Sequence, residues 1–258
     1  MSTSAQAQKV LVTAGAGGIG RAIAAAFAAA GARVHVCDLD AASLDQLRAQ
    51  LPGITTSVCD VGDRAAVQAM VQQASEQLGG LDVLVNNAGI AGPTASVAEL
   101  DPAAWEAVLR VNLTGTFTVT QCAIPHLKRS AAASIIVMSS LAGRFGYPNR
   151  SPYSTTKWGL IGFTKTLARE LGPFGIRVNA ILPGAVDGPR LQQVLQGRAS
   201  ASGRTLAQEQ AAALANQSIQ RFVDPADIAA LAVFLASEAG RSISGQALPI
   251  DGDSQSAA

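Results

Sequence analysis

The chain has 258 residues, 48% hydrophobic and only 14% charged, where an average globular protein carries about 25% charged residues. Such a composition excludes intrinsic disorder, and the length suits one large α/β domain or two small ones. Nineteen basic and eighteen acidic residues leave a net charge of +1 without a run of five like charges, so the basic stripe of a nucleic-acid binder is missing. Residues 1–8 are polar and uncharged, with none of the basic-then-apolar pattern of a secretory signal.

Residues 9–13 read as a buried strand. They run into Thr13-Ala14-Gly15-Ala16-Gly17-Gly18-Ile19-Gly20, which opens an alanine-rich helix over 21–30 stopped by Gly31. Residues 22–30, the most apolar helical stretch, are about half as long as a membrane span. A glycine-rich turn between strand and helix lets backbone amides approach a diphosphate, and the helix N-terminus adds partial positive charge. A second strand over 33–37 leads to Asp38, eighteen positions after Gly20. A carboxylate there accepts hydrogen bonds from adenine-ribose hydroxyls and repels a 2′-phosphate. Leu39 follows in place of an arginine, and Gly17 stands where a basic residue would meet that phosphate. NAD is therefore expected in preference to NADP.

A helix through Leu44 and Leu47 comes next, then apolar runs at 54–59, 81–86, 134–139 and 176–182, with helical patterns between them. Continuous β-branched runs alternating with helices predict a parallel, doubly wound sheet covered on both faces. Asp101-Pro102 and Asp224-Pro225 signal helix starts. Residues 191–220, rich in Gln, Ala and Ser, form a helical insertion that is either a lid or surface padding. Cys37, Cys59 and Cys122 fit neither a disulfide framework nor a zinc site. They read as small buried residues of a reducing, cytoplasmic compartment. His35 and His126 are expected to pack without binding metal, Trp105 to anchor a core or interface, and Trp158 to pack behind the site.

Tyr153 and Lys157 lie four apart on one helix face. A neighbouring ammonium favours the phenolate, which makes Tyr153 usable as an acid/base near neutrality. Ser140, thirteen residues earlier at a strand end, is placed to hydrogen-bond a carbonyl or alcohol oxygen.

Together these features resemble the short-chain dehydrogenase/reductase family over residues 9–253. The glycine turn, Asn86-Asn87-Ala88-Gly89, Asn112 in Val-Asn-Leu-Thr-Gly-Thr-Phe, Ser140, Tyr-Ser-Thr-Thr-Lys at 153–157, Val178-Asn179-Ala180 and Pro183-Gly184 follow in the family's order. The resemblance implies a single Rossmann domain of α/β/α layers, with a seven-stranded parallel sheet ordered 3-2-1-4-5-6-7 and a substrate lid at about 188–220. Homotetrameric assembly is implied too, a dimer being the smaller alternative. Tyr153 would transfer the proton, Ser140 would orient the substrate oxygen, and Lys157 would hold the nicotinamide ribose. Asn112 would support a proton-conducting water, and Asp60 would contact the adenine. Gly15, Gly18, Ile19, Gly20, Asp38, Leu39, Val61, Asn87, Ala88, Gly89, Pro183, Gly184 and Val186 complete the implied cofactor set.

Two positions depart from the family. Ala14 replaces the turn's first glycine, which is tolerable at negative φ if Gly15 and Gly17 take the unusual dihedrals. Gly188 replaces a threonine that usually meets the carboxamide. Arg144, Tyr147, Asn149 and Arg150 before the tyrosine, with Arg190 at the insertion, suggest a polar hydroxylated substrate, a sugar acid or hydroxy acid included. The competing expectation pairs these arginines with acids at subunit contacts. Lys128-Arg129 would suit a carrier-protein reductase, but Phe174 stands where its second basic residue belongs. A non-catalytic NAD sensor would have no need of all four active-site groups.

Overall fold

The structure, a computed structural model, describes residues 7–257, apart from the side chains of Arg190 and Ala201. Seven strands, β1 (Lys9–Thr13), β2 (Arg33–Asp38), β3 (Thr55–Val58), β4 (Val83–Asn86), β5 (Ser134–Met138), β6 (Arg177–Pro183) and β7 (Ala247–Ile250), make one sheet. Their order is β3-β2-β1-β4-β5-β6-β7, and all neighbours are parallel. This is the doubly wound arrangement expected. Val10, Leu11, Val12, Val83, Leu84, Val85, Ile135, Ile136 and Val137 are fully buried. A strand with no polar alternation needs cover on both faces, and two helical layers supply it.

On one face α3 (Arg64–Leu78), α5 (Thr116–Leu127) and α6 (Ser151–Leu171) pack against Leu11, Leu84, Ile135 and Val178. On the other, α1 (Gly18–Ala29), α2 (Ala41–Gln50) and α9 (Pro225–Ala236) cover Val10, Val12, Val85 and Ile136. Successive strands are added to one side of β1 up to β3 and to the other side from β4 on, so the loops after β1 and β4 part and leave a crevice at the carboxyl edge of the sheet.

Helix α4 (Pro102–Leu109) starts at Asp101, which accepts from Ala103 N, and Asp224 likewise accepts from Ala226 N at the start of α9. Both starts follow the Asp-Pro reading, because the acid satisfies an orphan amide and proline has no amide to satisfy. Helix α1 begins at Gly18, three residues before the sequence reading. Residues 191–220 resolve into α7 (Pro189–Ser202) and α8 (Leu206–Ala215), separated by Gly203 at φ +70° and a Thr205/Gln208 capping box. The strand expected over 176–182 runs to Pro183.

Ala14 corrects its expectation. It sits at φ +49° and Gly18 at +51°, while Gly17 is extended at −141°. The methyl-bearing residue itself takes one of the left-handed positions. Trp158 is also corrected: it is half exposed, its indole donating weakly to the Phe145 carbonyl at 3.5 Å.

Candidate active site

The crevice holds a cavity of about 510 Å³. Its floor is the glycine turn. A Cβ on Gly20 would stand 2.3 Å from the Ala14 carbonyl and 2.6 Å from Asn87 Nδ2, so only glycine permits this approach of helix to turn. Gly17 caps α1 with no side-chain hydrogen bond, which leaves the first amides of the helix available to an anion. Asn87 Nδ2 donates to the Thr13 and Ala14 carbonyls, and Thr13 Oγ1 accepts from the Asn87 and Ala88 amides. The turn and the segment after β4 are thus stitched together.

Asp38, at the end of β2, accepts from Ala16 N at 3.0 Å and from Asp40 N at 3.3 Å. Its carboxylate faces the turn and keeps acceptor sites for further donors. Leu39 beside it is 66% exposed. Asp60 accepts from Gly62 N and pairs with Arg110 at 3.2 Å, and Val61 is buried. These four residues lie along the ends of β2 and β3.

Helix α6 brings Tyr153 and Lys157 onto one face. Lys157 is buried, its Nζ donating to the Met138 carbonyl at 2.7 Å and standing 5.5 Å from the Tyr153 ring centroid. Ser139 Oγ donates to the Lys157 carbonyl, so that hydroxyl is committed to holding α6 against β5. Ser140 Oγ accepts from Ala142 N, which leaves its own hydrogen to donate. Of the pair, Ser139 has its hydroxyl hydrogen engaged with the backbone, and Ser140, the one at the thirteen-residue spacing, accepts a hydrogen bond.

Asn112 stands in a π-helical turn, Arg110–Gly115, between α4 and α5. It is fully buried; Oδ1 accepts from Ile90 N and Nδ2 donates to Ile90 O and Thr156 Oγ1. The extra residue of a π turn re-aims one side chain out of helical register. A Cβ on Gly89 would lie 3.2 Å from Asn112 Oδ1 and 3.6 Å from Lys157 Nζ.

A family profile described as "Enoyl-(Acyl carrier protein) reductase" matches residues 14–252. The chain belongs to the short-chain dehydrogenase/reductase family. It is 36% identical over 246 residues to the 3-oxoacyl-[acyl-carrier-protein] reductase FabG of Thermotoga maritima, covering 94% of this chain and 95% of that one. It is 37% identical over 248 residues to the D-beta-hydroxybutyrate dehydrogenase of Cupriavidus necator, with 94% and 95% covered. Among solved structures, NAD+-bound xylitol dehydrogenase superposes with a TM-score of 0.91 at 28% identity, over 95% of this chain and 98% of that one. Actinorhodin polyketide ketoreductase with NADPH gives 0.90 at 33%, over 98% of both. As a member of this family the protein is an oxidoreductase, and neighbours with either nicotinamide cofactor share its fold.

In this short-chain dehydrogenase/reductase the cavity brings together Gly18, Ile19, Asn87, Gly89, Ser140, Tyr153, Pro183, Gly184 and Val186 from the expected set. Tyr147 and Arg150 line it as well. Arg144 does not serve as a free cation: it pairs with the buried carboxylate of Asp251 at 3.4 Å, within the chain. Asn149 is exposed at φ +60°, a turn residue whose carbonyl accepts from Ala95 N. Arg190 lies on α7, and its side chain is outside the described residues. His35 is buried on β2 beside Thr55 and Ser57, and Trp105 is half-buried.

The sequence reading missed Arg198 of α7, whose Nη2 donates to Tyr147 Oη at 2.7 Å and which also lines the cavity. It missed the chain end too, where Ser254, Ser256 and Ala257 form a wall. Gln217 and Ser254 make an antiparallel bridge, and Asn216 Nδ2 donates to Ser256. A short polar tail carries no periodic signal that would have revealed this docking.

Proposed function

We propose that the protein is an NAD-dependent dehydrogenase that interconverts a secondary alcohol and a ketone on a small polar, hydroxylated substrate, hydroxy acids and sugar acids included. The observation that carries this reading is that Ser140 and Tyr153 face the cavity that also takes in the glycine turn, with Lys157 against the Tyr153 ring. The cradle fits a dinucleotide: Gly20 admits no Cβ, the first turn of α1 has no side-chain cap, and Asp38 stands at the end of β2.

Gly15, Gly18, Ile19, Gly20, Asp38, Leu39, Asp60, Val61, Asn87, Ala88, Gly89, Pro183, Gly184 and Val186 would hold NAD together with Tyr153 and Lys157. When bound, NAD supplies the hydride acceptor, or as NADH the donor. Tyr153 takes the hydroxyl proton at its phenolate oxygen during oxidation and returns it during reduction. Positive charge from Lys157 and Arg150, 5.5 and 5.9 Å from its ring centroid, favours the phenolate. Ser140 donates to the reacting oxygen. Asn112 holds the loop at Ile90 and supports the water through which the proton reaches solvent.

Residues 188–220 act as the lid of a single nucleotide-binding domain, since α7 and α8 both reach the cavity. The family's homotetramer is supported by exposed Phe117, Trp158 and Phe234. A cytoplasmic location is supported by three cysteines that are all free thiols. Among the described residues no helix is long and apolar enough to cross a membrane.

The test is nicotinamide-coupled turnover of polyols, sugars, hydroxy acids and simple secondary alcohols by the wild type and Tyr153→Phe. The expected loss is about 10²–10⁴-fold in kcat, with NAD binding retained. Turnover that survives the substitution overturns the mechanism, and tighter binding of NADP overturns the cofactor reading.

Similarity to the carrier-protein reductase favours a second reading, a 3-oxoacyl thioester as substrate. Lys128, which would contribute to carrier docking, instead lies over the Phe174 ring at 3.6 Å. Turnover of an acyl-carrier thioester faster than of any free hydroxy acid would establish that alternative.

A further inference from the structure

Two guanidinium groups meet at one ring in the cavity. Arg150 is 8% exposed and stands 5.6 Å from the Tyr147 ring centroid, and Arg198 stands 5.8 Å from the same centroid. Neither has a carboxylate partner among the described residues. Asp187, the acidic residue that lines the same cavity, is exposed and likewise forms no ion pair among them. Arg150 donates from Nη1 to Thr94 Oγ1 at 2.8 Å, while its buried Nε has no partner among the described residues.

A buried guanidinium costs solvation energy that an opposite charge ordinarily offsets, and a second cation on the same ring adds repulsion. Aromatic faces offset part of that cost. They cannot satisfy in-plane N–H donors, of which guanidinium has five in a fixed fork. The missing counter-charge is external, and the Nη hydrogens that Arg150 keeps beside its bond to Thr94 suit the two oxygens of a carboxylate.

We infer that Arg150 and Arg198 form a carboxylate-binding subsite across Tyr147, which makes the substrate a short hydroxy acid or its oxo acid. Arg150 is 5.9 Å from the Tyr153 ring centroid. The acid group is thereby held within a few bonds of the carbon that reacts. Arg150 provides the fixed anchor beside α6; Arg198 provides the second contact from α7, its guanidinium aligned by Tyr147 Oη. This specificity assignment rests on the oxidoreductase reading above, and its test is a binding measurement that requires no turnover.

Calorimetric titration of the purified protein with two oxo acids, pyruvate and acetoacetate, each against its neutral amide, provides the measurement. For at least one pair the wild type should bind the acid about tenfold more tightly than the amide, a preference that salt weakens. Arg150→Met and Arg198→Met should each abolish that preference, Arg150→Lys should restore part of it, and Tyr153→Phe should retain it. Arg198 is only partly buried, so Arg198→Met tests the subsite even where Arg150→Met disturbs folding. Equal binding of acid and amide in the wild type overturns the subsite, as does no binding of either or a preference that survives both methionine variants. Loss of the proposed oxidoreductase mechanism would show instead as turnover that does not depend on Tyr153.

Discussion

His35 lies on β2 with no exposed surface, its ring nitrogens facing Thr55 Oγ1 and Ser57 Oγ. Burial disfavours the imidazolium and lowers its pKa from 6.5 to about 4. Between those values the unfolded chain binds the proton and the native protein does not, so stability rises with pH through this window and falls as pH drops through it. The full effect below pH 4 is about 3 kcal/mol. Urea midpoints measured from pH 7 to pH 4.5 should therefore fall less steeply for His35→Gln than for the wild type. Ala14 is the other residue whose setting has a cost, since φ +49° crowds a methyl group against the following carbonyl. Ala14→Gly trades that strain for extra unfolded-state entropy and should stabilise the protein by about 0.5–1 kcal/mol, read as a raised thermal midpoint. That a residue other than glycine takes this dihedral could not be read from a segment in which four of eight residues are glycine.

Among elements, those with a repeating pattern were legible and those built by distant contacts were not. The buried strands announce themselves as apolar runs, and α4 and α9 announce their starts through Asp-Pro. The π turn that aims Asn112 leaves no such trace, because one extra residue per turn alters no composition. The approach of α7 to Tyr147 depends on how Gly188, at φ +143°, directs the chain away from β6. The tail after β7 is held by the Arg144–Asp251 pair, the Gln217–Ser254 bridge and the Asn216–Ser256 hydrogen bonds. Removal of residues 254–258 should therefore open one wall of the cavity while the nucleotide cradle stays intact. KM for the organic substrate should rise about tenfold or more, with KM for the cofactor nearly unchanged. Initial-rate kinetics with each substrate varied in turn would detect an equal rise in both, the result that rules this role out.

At the scale of the molecule, one sheet carries every proposed catalytic and cofactor residue on its carboxyl edge or on the elements that leave it. The proposed catalytic residues Asn112, Ser140, Tyr153 and Lys157 and the glycine turn can be picked out in the sequence because the chemistry proposed for them fixes spacing along short stretches. Arg198 and the tail cannot be, because they come to line the cavity only when α7 and residues 254–257 fold back over that edge. A ligand that binds only the native state stabilises it by about 2.7 kcal/mol at one hundred times its Kd. For a chain of this size that is a rise of about 5–10 °C in the thermal midpoint. Saturating NAD should produce this rise, and NADP at the same concentration a smaller one, because a 2′-phosphate would meet the Asp38 carboxylate; the opposite order would remove Asp38 from the selection of cofactor. The stitching of Thr13 to Asn87 and Ala88 has one last consequence. Because it fastens the β1 and β4 banks of the crevice to each other, ligand traffic cannot proceed by spreading those banks. On the proposed reading, entry and exit would fall to the opposite shore, where α7, α8 and residues 254–257 line the cavity, so the stretch proposed to select the substrate would also be the one whose movement admits it.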